Sequence, residues 1–142
     1  MTESTEVENI TCFDHVPTAL RTWFVIHAVV DYVIAIPLFL IPTLLLEFMG
    51  WNTVDPIMAR LVAAALFGIG GISFFSRDEQ VNTYRTLVTM KMIWSITAEI
   101  GFLVSFLVDM NNFPGIAWAF FGMFVIFTMA WGYWLNLLKS YE

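Results

Sequence analysis

Five ionisable side chains lie within otherwise apolar stretches of this chain: His27, Asp31, Arg60, Lys91 and Glu99. A charged side chain at the centre of a membrane costs about 2.5–3.5 kcal/mol on insertion scales, so each one needs a partner or a function. Two carboxylates, an imidazole and two cations are groups that can bind an ion, a proton or a polar ligand. These five residues are therefore the candidate ligand- or ion-binding site.

Four apolar segments position these residues: 23–42, 57–75, 87–108 and 115–138. Each is close to the ~20 residues that a helix needs to cross ~30 Å of hydrocarbon. A spanning sheet would instead show ~10-residue alternating segments. The sequence therefore predicts an all-α fold, an integral membrane four-helix bundle over residues 23–138. Residues 1–22 are predicted to form an acidic cytoplasmic tail, and residues 139–142 a cytoplasmic C-terminus.

The composition agrees with a membrane protein. The chain is 59% hydrophobic and 13% charged, with a mean hydropathy of +0.77, whereas a soluble domain is about 45–50% apolar and about 25% charged. A net charge of −6 argues against nucleic acid, whose binding needs basic residues. A single cysteine, Cys12, excludes both an intrachain disulfide and a cysteine metal site.

The connections contain recognisable start and stop signals. Asp55 before Pro56 is typical of a helix N-terminus. The stretch 43–51 (TLLLEFMGW) is too apolar for a free loop and too short to span. We predict a short helix in the membrane interface here, ended by Gly50.

Basic residues predict the orientation. Arg21 precedes the first segment, Arg77 and Arg85 lie between the second and third, and Lys139 follows the fourth. Because cytoplasmic loops are enriched in Lys and Arg, both termini and the middle loop are predicted to be cytoplasmic. The expected location is the plasma membrane, as a multi-pass protein.

Helical rise predicts which charges meet. Asp31 lies about 12 Å deep, Lys91 about 6 Å and Glu99 about 18 Å from the cytoplasmic side, while Arg60 lies about 5 Å from the other side. The predicted pairs are Asp31 with Lys91 and Arg60 with Glu99, and His27 shares a helix face with Asp31. They form a polar seam between the first three helices, with the fourth as an apolar wall. Two interpretations stay open: structural pairs that fix helix register, or a buried ligand, ion or proton site. One membrane histidine and a spread of about 12 Å along the axis predict no metal site.

Two further stripes lie on the second and fourth segments. Ala64, Gly68 and Gly71 follow Arg60 at helical spacing, which favours a packing seam of small residues. The fourth segment carries an aromatic stripe: Phe120, Phe124, Phe127, Trp131 and Trp134. We expect this stripe to meet lipid tails or a neighbouring subunit. A bound quinone, pigment or sterol is the less favoured alternative, so no cofactor is predicted.

Part of the chain resembles a known group of proteins. The stretches 41–46 (IPTLLL), 55–56 (DP) and 59–70 (ARLVAAALFGIG) are similar to a pattern in the DoxX-like group of small four-helix membrane proteins and a related family of unknown function. The resemblance covers about residues 35–77. It implies a four-helix bundle with Arg60 at the head of the second helix, and it supplies no activity.

The chain lacks the motifs of nucleophilic catalysis and of phosphate-binding loops, so no catalytic residue is predicted and an enzyme is disfavoured. The favoured function is a non-enzymatic accessory or structural subunit of a larger membrane complex, with the bilayer and other subunits, or copies of itself, as partners. The alternative is a small transporter, channel or proton-coupled ligand-binding protein. A membrane enzyme acting on a lipid-like substrate is the third class.

Overall fold

The computed structural model describes residues 16–76 and 79–139. These residues form five α-helices and no strand: α1 Thr18–Leu40, α2 Pro42–Phe48, α3 Pro56–Phe75, α4 Val81–Val108 and α5 Ala117–Lys139. A short 3-10 helix, Met110–Asn112, precedes α5. The helices α1, α3, α4 and α5 are long and apolar enough to cross a bilayer. The prediction of an all-α fold with four membrane-crossing helices is confirmed, and the chain is a small multi-pass membrane protein in contact with lipid.

Several residues used in the sequence analysis lie outside the described residues. They are residues 1–15 of the acidic tail, which include Cys12, then Arg77 in the loop between α3 and α4, and residues 140–142 at the C-terminus.

Two helices begin earlier than their apolar segments. α1 begins at Thr18 rather than at residue 23, and α4 begins at Val81 rather than at residue 87. The early turns alternate polar residues with buried ones, such as Leu20 in α1 and Tyr84 in α4, each 0% exposed. Hydropathy finds only the continuously apolar part of a helix, whereas these first turns are amphipathic.

The connection between α1 and α3 has the predicted local signals. α2 begins at Pro42 and ends before Gly50, whose φ of +96° is the left-handed conformation that glycine adopts without strain. Asp55 Oδ1 accepts hydrogen bonds from the backbone N–H groups of Ile57 (2.8 Å) and Met58 (3.2 Å). This cap satisfies two of the donors that the start of α3 leaves unpaired.

The spanning helices pack as two pairs, α1 with α3 and α4 with α5. The α1–α3 contact is made by small residues, because small side chains let helix backbones approach closely. Ala59, Ala63 and Gly70 of α3 are buried there, whereas Ala64 and Gly68 are exposed. Of the predicted small-residue seam, Gly71 is buried next to Tyr32 of α1 as expected, whereas Ala64 and Gly68 are not part of the contact. Over this part of α3 the seam is wrong by one residue, which corresponds to a rotation of about 100° around the helix.

A cluster of large side chains joins the two pairs. Its members come from α1, α4 and α5 and include Leu20, Phe24, Tyr84, Trp131 and Leu138. Arg21, Arg85 and Lys139 lie in the same turns of these helices, so we call this end of the molecule the basic end. The opposite end carries three acidic residues in its connections and is called the acidic end: Glu47, Asp55 and Asp109.

Candidate functional site

His27, Asp31 and Lys91 form one buried cluster between α1 and α4, and we call it the charge cluster. His27 Nδ1 lies 3.1 Å from Lys91 Nζ and 2.9 Å from Asp31 Oδ2. His27 and Asp31 are 3% and 5% exposed, and Lys91 is 0% exposed. Asp31 and Lys91, which sequence analysis paired directly, thus meet through His27.

The shared ring nitrogen gives the charge cluster two proton arrangements. A neutral imidazole with its hydrogen on Nε2 accepts a hydrogen bond at Nδ1 from Lys91 Nζ, whereas an imidazolium donates from Nδ1 to Asp31. One nitrogen cannot do both at once. In the first arrangement Asp31 Oδ2 has no hydrogen-bond donor among the described residues. His27 Nδ1 therefore forms a hydrogen bond with only one of its two neighbours in any one protonation state.

Aromatic rings surround the charge cluster. The His27 ring lies 4.6 Å from the ring of Phe127 and 5.2 Å from that of Trp131. Lys91 Nζ lies 5.2 Å from the Phe24 ring centre and 5.4 Å from that of Trp131. A desolvated cation over an aromatic face gains about 2 kcal/mol. The rings therefore offset part of the cost of burying the ammonium group.

The aromatic stripe of α5 faces inward, contrary to expectation. Phe127, Trp131 and Trp134 are buried in the cluster that joins the two helix pairs, and Phe120 and Phe124 line a partly open cavity between the helices. The predicted contact of this stripe with lipid or a neighbouring subunit is wrong. Burial follows because α5 must cover the polar groups of α1 and α4, which hydrocarbon cannot solvate.

Two more buried polar atoms lie beside Lys91. Ser95 follows Lys91 by one helical turn, and Trp131 has its ring over the ammonium group. Neither Ser95 Oγ nor Trp131 Nε1 has a hydrogen-bond partner within the described part of the chain. Such atoms in a buried site are typical partners of an internal water.

Arg60 and Glu99 do not join the charge cluster, and the predicted pair between them is wrong. Arg60 is exposed on α3, and its Nε donates to the carbonyl oxygen of Phe39 at 3.2 Å. Glu99 Oε1 instead accepts a hydrogen bond of 2.5 Å from Thr128 Oγ1 of α5. The polar contacts thus involve α1, α4 and α5, because α3 turns its charged residue outward and its small residues toward α1.

An apolar cavity of about 190 Å³ lies between the two helix pairs. All five helices line it, with Ile34 and Leu38 of α1, Leu66 of α3, Trp94 of α4 and Phe124 of α5 among the lining residues. Ile34 and Trp94 each follow a residue of the charge cluster by three positions, which is about 4.5 Å along the helix. The cavity therefore begins about one turn beyond the charge cluster, toward the acidic end.

A second, polar cavity of about 220 Å³ lies at the acidic end. Trp51 and Phe102 line both cavities, so these two side chains form the partition between them. Ser105, Asp109 and Asn112 supply polar groups to the second cavity. We call the first the apolar cavity and the second the polar cavity.

Comparisons with known proteins give no further guidance: no family model, curated protein or solved structure matches this chain. The resemblance of residues 35–77 to the DoxX-like group stays a prediction. An inference about what the site does therefore rests on its geometry alone.

Sequence reasoning missed Thr128, Ser95 and the two cavities. Ser95 lies four residues after Lys91, so helical spacing alone places both on one face. Thr128 follows Phe127 within the aromatic stripe, but its role becomes visible only once α5 is turned inward. A cavity between helices depends on how far apart large side chains hold the backbones, and no local pattern encodes that distance.

Proposed function

We propose that this chain is a non-enzymatic membrane protein that binds a small apolar or amphiphilic molecule of the bilayer between its two helix pairs. The observation that carries the proposal is the apolar cavity, about 190 Å³ in volume and lined by all five helices. For comparison, an apolar cavity of about 150 Å³ engineered in another protein stays dry and binds benzene. The cavity thus suits an aromatic ring or a short alkyl chain.

The charge cluster has a structural role in this proposal. It lies about one turn from the apolar cavity and lines neither cavity described above. His27 contacts both Asp31 and Lys91, and the contact between His27 and Lys91 links α1 to α4. Buried polar groups of this kind can fix helix register. The cluster then holds the two pairs together on one side of the cavity.

The orientation of the chain is part of the proposal. Arg21, Arg85 and Lys139 lie at the basic end, while segments 41–59 and 92–138 contain no Lys or Arg. The positive-inside rule favours a cytoplasmic basic end, with both termini on that side. The plasma membrane is the proposed location. The polar cavity then opens toward the outer face.

Binding of a neutral probe to the full chain in lipid nanodiscs tests the proposed function. Equilibrium dialysis with radiolabelled 1-octanol, corrected with empty nanodiscs, is expected to show a saturable component of one probe per chain. Val62→Trp places a large ring at a residue that lines the apolar cavity and is expected to abolish that component. Leu61→Trp is the matched control, because Leu61 is about as exposed as Val62 (58% and 47%) but does not line the apolar cavity.

Two results contradict the proposed function. One is octanol uptake that rises linearly with concentration and equals that of empty nanodiscs. The other is saturable binding that Val62→Trp and Leu61→Trp reduce equally, because the bound molecule then lies outside the apolar cavity. Far-UV circular dichroism of both variants checks that the helices are retained.

A second candidate function, a subunit of an assembly, is favoured by one face of α4. Thr97, Gly101 and Ser105 are exposed at intervals of four residues, and a Cβ at Gly101 meets nothing within 4 Å. Small residues at this spacing are common where membrane helices associate. A shallow groove beside Trp94 and Thr97 lies on the same helix. This face, rather than the aromatic stripe of α5, is the surface that fits another subunit or a second copy.

The subunit function has its own test. Native mass spectrometry from mild detergent is expected to show a homo-oligomer that Gly101→Ile converts to monomer. Gly68→Ile is the matched control, because Gly68 also lies on an exposed helix face with nothing within 4 Å of a built Cβ. A monomeric wild-type chain, or equal dissociation of both variants, removes support for self-association through this face.

A further inference from the structure

The apolar and polar cavities are adjacent and share two lining side chains, Trp51 and Phe102. One side of this partition is apolar throughout. The other side is lined by Ser105, Asp109 and Asn112 together with apolar residues such as Phe113 and Pro114. A molecule that spans both cavities needs an apolar tail and a polar head, so the two cavities together fit an amphiphile.

Hydrogen bonds hold the polar side of this site in place. Asn112 Nδ2 donates to Asp109 Oδ2 at 2.9 Å, and Asn52 Nδ2 donates to Asn112 Oδ1 at 3.3 Å. Asn52 lies between α2 and α3, whereas Asp109 and Asn112 lie between α4 and α5. The network therefore ties the two helix pairs together at the acidic end and fixes the Asp109 carboxylate at the polar cavity.

The fixed charge at the polar cavity determines whether a cationic or an anionic head group is favoured. Among the described residues that line the polar cavity, Asp109 is the only ionisable one. Arg60, which follows Asp55 by five residues, donates to the carbonyl of Phe39 and does not line the polar cavity. A site whose fixed charges are negative attracts cations and repels anions.

We propose that the two cavities form one binding site for a cationic amphiphile, with its alkyl or aryl tail in the apolar cavity and its ammonium head beside Asp109. This inference rests on the proposed function, to which it adds the chemical class of the ligand. Trp51 and Phe102 flank the junction of head and tail, and aromatic side chains near a cation can contribute a cation–π attraction.

The test uses the full chain in phosphatidylcholine nanodiscs and three probes with one tail: octyltrimethylammonium, 1-octanol and octyl sulfate. Saturable binding is measured by equilibrium dialysis against empty nanodiscs. The ammonium probe is expected to bind about tenfold more tightly than the sulfate, which is the size of one partly screened charge contact. Asp109→Asn is expected to weaken ammonium binding about tenfold and to leave octanol binding unchanged.

Glu47→Gln is the matched control, since it removes a carboxylate at the same end of the molecule that does not line the polar cavity. It is expected to leave ammonium binding within about twofold of wild type. Octanol binding to each variant also checks that the apolar cavity has formed.

The outcomes distinguish the preference for a cationic head group from the existence of the binding site. If all three probes bind equally and Val62→Trp abolishes all of them, the cationic head is overturned while the proposed function stands. An equal loss of ammonium binding in Asp109→Asn and Glu47→Gln also overturns it, because a diffuse surface charge then accounts for the preference. If no probe shows saturable binding, the proposed function falls and this inference falls with it.

Discussion

Removing the carboxylate of Asp31 is expected to destabilise the bundle by about 3 kcal/mol. Asp31 is 5% exposed and Lys91 is 0% exposed, so Asp31→Leu leaves a buried ammonium group without a counter-charge. Breaking a buried ion pair costs about 3–5 kcal/mol, and a lone charge inside a membrane costs about 2.5–3.5 kcal/mol on insertion scales. The two ranges overlap near 3 kcal/mol.

Adding Lys91→Met to the Asp31→Leu variant is expected to reverse most of this loss of stability. Methionine fills a similar volume among the Phe24 and Trp131 rings without a charge, and apolar replacement of a buried ionic group is often neutral or stabilising. The double variant Asp31→Leu with Lys91→Met is therefore expected to lie within about 1 kcal/mol of wild type.

Reversible unfolding in mixed micelles, with dodecyl sulfate as the denaturant and circular dichroism as the readout, measures both quantities. Glu47→Gln, an exposed carboxylate on α2, is the control and is expected to change stability by less than about 0.5 kcal/mol. The reasoning is refuted if Asp31→Leu costs less than about 1 kcal/mol. It is also refuted if the double variant is less stable than either single variant.

Two further predictions concern helix contacts. Gly70→Ala is expected to destabilise the protein by about 1–3 kcal/mol, because the new Cβ meets α1 atoms at 3.1–3.4 Å. Gly68→Ala is the control: a Cβ there meets nothing within 4 Å, so this variant is expected to be neutral or slightly stabilising. A double-mutant cycle of Glu99→Gln and Thr128→Val, measured by the same unfolding assay, is expected to give a coupling of about 0.6–1.7 kcal/mol. Thr97→Val, which removes a hydroxyl bonded only to its own helix, is the control, and zero coupling in the cycle contradicts the hydrogen bond.

The membrane-crossing helices were predictable because hydropathy and length report directly on the bilayer as a solvent. The rotation of each helix about its own axis could not be predicted in this way. Each residue turns a helix by about 100°, so assigning the α3 contact to Ala64 instead of Ala63 moved Arg60 toward the core. The structure places Ala63 at 0% exposure and leaves Arg60 exposed, which is why the predicted contact with Glu99 does not form.

The candidate site was predictable in part. Depth along the helix axis placed Asp31 and Lys91 within about 6 Å of each other, close enough for their side chains to meet, and helical spacing put His27 beside Asp31. Depth alone could not show that the imidazole lies between the two charges, since that depends on the directions of three side chains. The inward face of α5 could not be predicted for another reason. Every side of that helix is apolar enough to contact lipid, so its sequence pattern does not show which of Trp131 and Tyr133 faces the interior.

Occupation of the apolar cavity is tested most directly by quenching of tryptophan fluorescence with 8-bromo-1-octanol in nanodiscs. Trp94 lines the apolar cavity, whereas Trp118 is 43% exposed on α5 and lines neither cavity. Wild-type protein is expected to show a saturable quenching component that Trp94→Phe reduces and Trp118→Phe leaves unchanged. Quenching that rises linearly with concentration, to the same extent in both variants, contradicts a bound molecule between the two helix pairs.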